Sequence, residues 1–116
     1  MHHILARRLL LNGATNPVEH SPAIRIEGRT YVRAEVKMLA VNGTPTVTVA
    51  IEQSDDLEHW FDCGIDAATL TTAPSIDRTG SGIAAPVTAQ HLRLRYAITG
   101  DNGPALLASV LDVMPS

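Results

Sequence analysis

Residues 47–64 read VTVAIEQSDDLEHWFDCG. The stretch opens as an alternation, Val47, Val49 and Ile51 against Thr48, Ala50 and Glu52, and this is the period of a half-buried strand with Val47, Val49 and Ile51 facing in. It then breaks into the acids Asp55, Asp56, Glu58 and Asp62. Trp60, the one tryptophan of the chain, stands here beside the one phenylalanine, Phe61, and close to the one cysteine, Cys63. Two readings compete: a strand running into the charged corner of a β-sandwich, or a catalytic or metal-binding cluster.

The flanking sequence favours the corner. Residues 30–41, TYVRAEVKMLAV, alternate Val32, Ala34, Val36 and Met38 with Arg33, Glu35 and Lys37, a second half-buried strand. Between the two lies NGTP, residues 42–45, where Asn-Gly accepts positive φ and proline suits a strand start but not its middle. The pattern predicts a hairpin of strands 30–41 and 46–54. Further on, residues 91–99 (HLRLRYAIT) alternate Leu92, Leu94, Tyr96 and Ile98 with Arg93, Arg95 and Ala97, and GDNGP at 100–104 is again turn chemistry. Residues 105–113, ALLASVLDV, are apolar on both faces, so periodicity does not separate strand from helix; their place after a turn favours a strand. HILARRLLL at 3–11 fits a helix by propensity and a strand by alternation, PAIRIEG at 22–28 reads as a short strand, and 67–88 as a long connection with one short strand near 83–87. Several short strands with no convincing helix predict an all-β fold, an antiparallel β-sandwich of jelly-roll type in a single domain.

Composition agrees. A chain of 116 residues buries roughly 65% of its unfolded surface, enough for one core. Hydrophobic residues make up 45% of it and aromatics only 3%, so that core is built of Val, Leu, Ile and Ala. Nine basic against twelve acidic residues, net charge −3, with no run of Lys or Arg, argues against nucleic acid as a partner. The start MHHILARRLLLNG lacks a leader pattern and no apolar run nears the ~20 residues of a membrane span, so a soluble, cytoplasmically made protein without a membrane partner is expected. A single cysteine excludes an internal disulfide and a multi-cysteine zinc site.

The acids Asp55, Asp56, Glu58 and Asp62 invite a calcium ion, since hard cations take carboxylate oxygens. They lack the spacing and turn glycine of an EF-hand loop, and a solvated turn accounts for them. His59 and Cys63 are four apart, a spacing that joins them only on a helix, and the five histidines show no ligand pattern beyond the adjacent His2 and His3. No G-x-S-x-G elbow occurs, and TGSGIAAP at 79–86 has no helix after it to cradle phosphate. No enzyme, metal or cofactor is expected. Trp60 is expected to cap one end of the core with its indole N–H on a backbone partner; the competing role is a platform for a sugar ring or a partner's side chain.

Taken in order, residues 32–64 and 89–113 resemble a family of small β-sandwich proteins of tailed phages and prophage-like elements. The likeness lies in Gln53, Ser54, Asp56, Trp60 and Gly64, then Arg93, Leu94, Arg95, Tyr96, Gly100 and Gly103, and covers about 80 of 116 residues. The acid pair and the Leu57-Glu58 that follows depart from the family's shorter turn. The resemblance implies a non-enzymatic structural protein of a virion, decorating a capsid or forming part of a tail or shell, with a major capsid or other shell or tail protein as partner. Apolar residues exceed what one small sandwich needs, which predicts a homo-oligomer. Residues 1–20 are read as an interface arm and 21–116 as the sandwich, with Ile4, Leu5, Leu9, Leu11, Leu107 and Leu111 as interface candidates. The same Q-x-S-x-D…W pattern is also similar to discoidin-type sandwiches, which implies as the alternative a carbohydrate-binding module using Trp60 and the turn 55–58.

Overall fold

The computed structural model describes residues 2–12, 17–26, 30–100 and 104–115. Eleven strands follow in order: β1 (His2–Asn12), β2 (Val18–His20), β3 (Ile24–Arg25), β4 (Thr30–Val41), β5 (Thr46–Ser54), β6 (Phe61–Asp62), β7 (Ala68–Leu70), β8 (Ser75–Arg78), β9 (Ala85–Val87), β10 (His91–Thr99) and β11 (Pro104–Pro115), with a 3-10 turn at Thr79–Gly82 between β8 and β9. Every pairing is antiparallel. One sheet, here sheet A, runs β1-β11-β4-β8 with β9 also on β4; sheet B runs β2-β10-β5-β6 with β3 on β10 and β7 on β5. Three broken edges, β2 with β3, β6 with β7 and β8 with β9, each act as one strand position. The result is eight positions in two sheets of four, a jelly roll.

The alternations do what the sequence says. Val32, Ala34, Val36 and Met38 of β4, Val47, Val49 and Ile51 of β5, and Leu92, Leu94, Tyr96 and Ile98 of β10 all point into one aliphatic core. Tyr96 is the only aromatic residue in it, and its hydroxyl meets that of Ser109 at 2.6 Å, joining the sheets across the middle. Burial raises the Tyr96 pKa and the bond to Ser109 works against that rise, so the pair is neutral at physiological pH.

The predicted hairpin does not form. β4 belongs to sheet A and β5 to sheet B, and β10 and β11 are divided in the same way. The chain therefore passes from one sheet to the other at the turn 42–45 and again between β10 and β11, and the Asn42 N–H donates to the Pro104 carbonyl at 3.0 Å. Gly43 and Gly100 take φ of 84° and 86° there, as the sequence leads one to expect, but turn chemistry does not specify which sheet the next strand joins.

The stretch 1–20, read as an interface arm, contains two strands that pair within the sandwich. β1 pairs with β11 along its length and β2 with β10, so one lies in each sheet. Leu11 is fully buried in the core. A radius of gyration of 13.6 Å matches the roughly 13 Å of a single domain of this length.

Two hydroxyls mend the broken edges. Where the edge is interrupted between β2 and β3, Ser21 Oγ accepts from the Leu94 N–H at 2.8 Å while its own N–H donates to the Leu94 carbonyl. Between β8 and β9 the fully buried Thr79 accepts from the Ala34 N–H at 2.8 Å. Each supplies the acceptor that a continuous strand would have given to a buried backbone donor.

Candidate functional site

The corner at 54–60 is fixed by its own side chains. Ser54, the last residue of β5, is buried, and its Oγ accepts from the N–H groups of Asp56 (3.2 Å) and Leu57 (2.9 Å) while donating to Asp56 Oδ1 (3.0 Å). Asp56 Oδ1 also accepts from the N–H groups of Glu58 and His59 at 2.9 and 2.8 Å, and Oδ2 lies 2.7 Å from His59 Nδ1. The backbone N–H and then the ring of His59 are the largest influences holding the Asp56 carboxyl well below the usual carboxylate range. The Trp60 indole N–H donates to the Leu57 carbonyl at 3.3 Å, and the Arg93 guanidinium sits 4.1 Å from the Trp60 ring centre while its Nε pairs with Glu52 at 2.9 Å. Ser54, Asp56, Trp60 and Arg93, the residues of the sequence pattern, are thus the scaffold of one loop.

That scaffold holds a strained residue. Leu57 has φ of 65° and is 51% exposed. The left-handed region costs a bulky L-residue roughly 1–2 kcal/mol, and the surrounding hydrogen bonds hold it there.

Trp60 differs from expectation in one respect. Its N–H reaches a backbone carbonyl, but its ring lies outside the core cluster, against Arg93 on the outer face of sheet B. It leads out of the loop toward β6, and Phe61, which follows, is 65% exposed.

Beside the loop is a cleft of about 450 Å³ whose walls include Gln53, Asp55, His59, Phe61 and Thr88. Asp55 Oδ1 accepts from the Gln90 N–H at 3.1 Å and so ties the loop to the start of β10. Asp56, Glu58 and His59 bring ligand atoms within 4.8 Å of one another, all exposed; both Asp56 oxygens are engaged by donors of the loop. Asp62 belongs to a separate turn, accepting from the Gly64 N–H at 2.7 Å. Cys63 packs against the core, and burial, reinforced by the charges of Asp62 and Glu52, pushes its thiol up to about 12, so it is a neutral thiol and not a thiolate.

The second candidate surface is the outer face of sheet A. The predicted interface residues divide. Leu107 and Leu111 join Leu11 as fully buried core residues and are removed from any surface, because on β11 they fall on the inward half of the alternation. Leu9 packs against the core, Ile4 is exposed, and the Leu5 side chain lies outside the described residues. The outward half of β11 is Leu106, Ala108, Val110, Asp112 and Met114. Leu10 and Ala40 stand either side of Leu106, and Ile4 stands beside Val110. A bulge in β4 leaves both Leu39 and Ala40 exposed, and a shallow groove of about 340 Å³ runs between Leu39 and Ile76.

Fold and surface together define a single all-β jelly-roll domain with one pinned loop corner and, along β11, one apolar strip on an outer sheet face. No protein-family model matches the chain, and no curated protein matches it. Among solved structures it is similar to a chain in the infectious bursal disease virus Gx strain, with a TM-score of 0.65 and 11% identity over 97% of this chain and 31% of that one. The Gt strain of the same virus gives 0.55 and 9%, over 98% and 31%. Eiger TNF from S. frugiperda gives 0.55 and 11%, over 99% of this chain and 91% of that one. The chain therefore spans about a third of the viral chains and nearly the whole of the TNF chain. At such identities the likeness is one of fold, and it is shared by proteins of unrelated roles.

Proposed function

We propose that the protein is a non-enzymatic structural component of a phage virion or related protein shell, working by self-association and by contact with a second shell protein. The observation that carries this reading is the outer face of sheet A. An antiparallel sandwich ordinarily turns polar residues outward, yet four of the five outward residues of β11 named above are apolar. Leu10, Ile4, Leu39 and Ile76 extend the apolar surface across the sheet. Three long strands, β4 and β11 of 12 residues and β1 of 11, with the short β8 and β9 in the fourth position, make a face of roughly 19 by 36 Å at strand spacings of about 4.8 Å, close to the about 800 Å² per partner of a standard interface. Four charges on this face are paired in place, Arg33 with Asp112 and Arg78 with Glu35, so docking need not strand them, while Lys37 on β4 stays exposed. The fold likeness to a viral chain and the order of motifs shared with phage sandwich proteins support the shell setting.

Light scattering on the full chain at low and high concentration tests the proposal. A discrete oligomer or a large polymer is expected at high concentration. A strict monomer throughout contradicts self-association.

A further inference from the structure

We propose that the cleft beside the corner loop is a second binding site, for a neutral saccharide, with Phe61 as its stacking face. This is separate from self-association, since Phe61 and the loop belong to sheet B.

The argument begins with what the cleft rejects. Its walls carry no Lys or Arg, while Asp55 and Asp56 repel anions, so phosphate, sulfate and carboxylate ligands are disfavoured. A metal ion would have to take Asp56 away from the two N–H groups and the His59 ring that hold the loop together. A purely apolar ligand would bury the Gln53 amide and the Asp55 carboxylate without partners, at a cost of about 1–3 kcal/mol each. For a cationic ligand Asp56 is already met by loop donors, which leaves Asp55 as the attracting carboxylate, and salt dependence separates that case.

What remains suits a ring of hydroxyls. Gln53 offers a donor and an acceptor, Asp55 keeps one oxygen beyond the Gln90 contact, Thr88 has a hydroxyl that both donates and accepts, and the second nitrogen of His59 is not used by the loop. Planar polar side chains of this kind match the paired hydroxyls of a pyranose. Phe61, at 65% exposed, supplies an aromatic face of the sort that the axial C–H groups of a sugar cover. A volume of about 450 Å³ falls in the range of roughly 300–1,000 Å³ for small-molecule sites. The loop wall is set before any ligand arrives, which lowers the ordering cost of binding. Trp60, the residue that first draws attention, is not the platform here: its ring is engaged by Arg93 and its N–H by Leu57, so it positions the loop.

The test uses the intact protein on a printed array of neutral glycans, followed by calorimetric titration of the best-bound member. Phe61→Ala is expected to weaken binding at least tenfold, about 1.4 kcal/mol, and Gln53→Ala to weaken it several-fold. Phe61 lies outside the core, so its variant should keep the wild-type unfolding midpoint, and that midpoint is measured alongside. Raising salt from about 0.05 to 0.5 M should leave affinity unchanged, because no ion pair is made. No binding by the wild type to any neutral glycan overturns the proposal. So does binding that survives Phe61→Ala, or that falls steeply with salt as for an amine ligand.

Discussion

Leu106 and Leu107 are neighbours on β11, and Arg93 and Leu94 are neighbours on β10. The inward members, Leu107 and Leu94, are both fully buried in the same core. The outward members differ. β10 turns outward His91, Arg93, Arg95, Ala97 and Thr99, with Arg93 paired to Glu52 across the sheet, whereas β11 turns outward Leu106, Ala108, Val110, Asp112 and Met114. Sheet B thus has the ordinary outer face of a sandwich, whereas sheet A carries on its outer face an apolar strip along β11 beside the charged residues of β4 and β8. The core is indifferent to this contrast, because folding is satisfied by the inward halves alone. The half-buried outer half of β11 stands outside that core, and the proposed self-association rests on it.

The comparison predicts a sharp contrast within one strand. Leu107→Ala should cost about 2–5 kcal/mol of stability through lost burial and a cavity, while Leu106→Ala next to it should cost under about 1 kcal/mol in the monomer. Urea unfolding of the two variants at low protein concentration measures both. Equal losses would mean that the outer half of β11 is also structural, and the comparison would break.

The repaired edges sharpen the same contrast between inside and outside. Thr79→Val keeps the shape of the side chain but leaves the Ala34 N–H buried without its acceptor, an expected loss of about 1–3 kcal/mol. Amide exchange at Ala34 should quicken along with the drop in the unfolding midpoint. On the outer face of sheet B, Arg93→Ala removes a partly buried ion pair and the contact over Trp60, and about 1 kcal/mol is expected. Its signature is a shift in Trp60 fluorescence, since this is the only tryptophan.

Much of the fold is legible in the sequence because strands with one wet and one dry face write their period plainly: β4, β5 and β10 are found to within a residue. Their pairing is not legible, since Asn42-Gly43 and Gly100 announce a reversal but are equally compatible with a hairpin and with a crossing between sheets. The inward half of β11 cannot be chosen from a stretch that is apolar on both sides. Ser21 and Thr79 look like loop residues until the broken edges they repair are seen. At the corner, the pairing of Ser54 with Asp56 follows from local turn chemistry, whereas Arg93 meets Trp60 only because β10 lies beside β5.

The smallest expected effect concerns pH. Asp56 has its folded pKa depressed by the loop donors, so its contribution to loop order is complete above the ordinary carboxylate pKa of about 4 and is lost as pH falls through the lower folded value. Trp60 fluorescence should therefore hold its neutral-pH value down to about pH 4 and change only below it. In Asp56→Asn the acid-induced change should vanish.

The most direct test of the central claim places one charge on each outer face. Val110→Lys sits in the middle of the apolar face of sheet A, and Thr48→Lys in the middle of sheet B, where Thr48 lies between Ala97 and Thr69. The mass of the wild type and both variants is followed by light scattering as concentration rises. The account predicts that the wild type and Thr48→Lys grow beyond the 12.4 kDa chain mass while Val110→Lys stays at it. Identical behaviour of the two variants, or a wild type that never exceeds the single-chain mass, would contradict it.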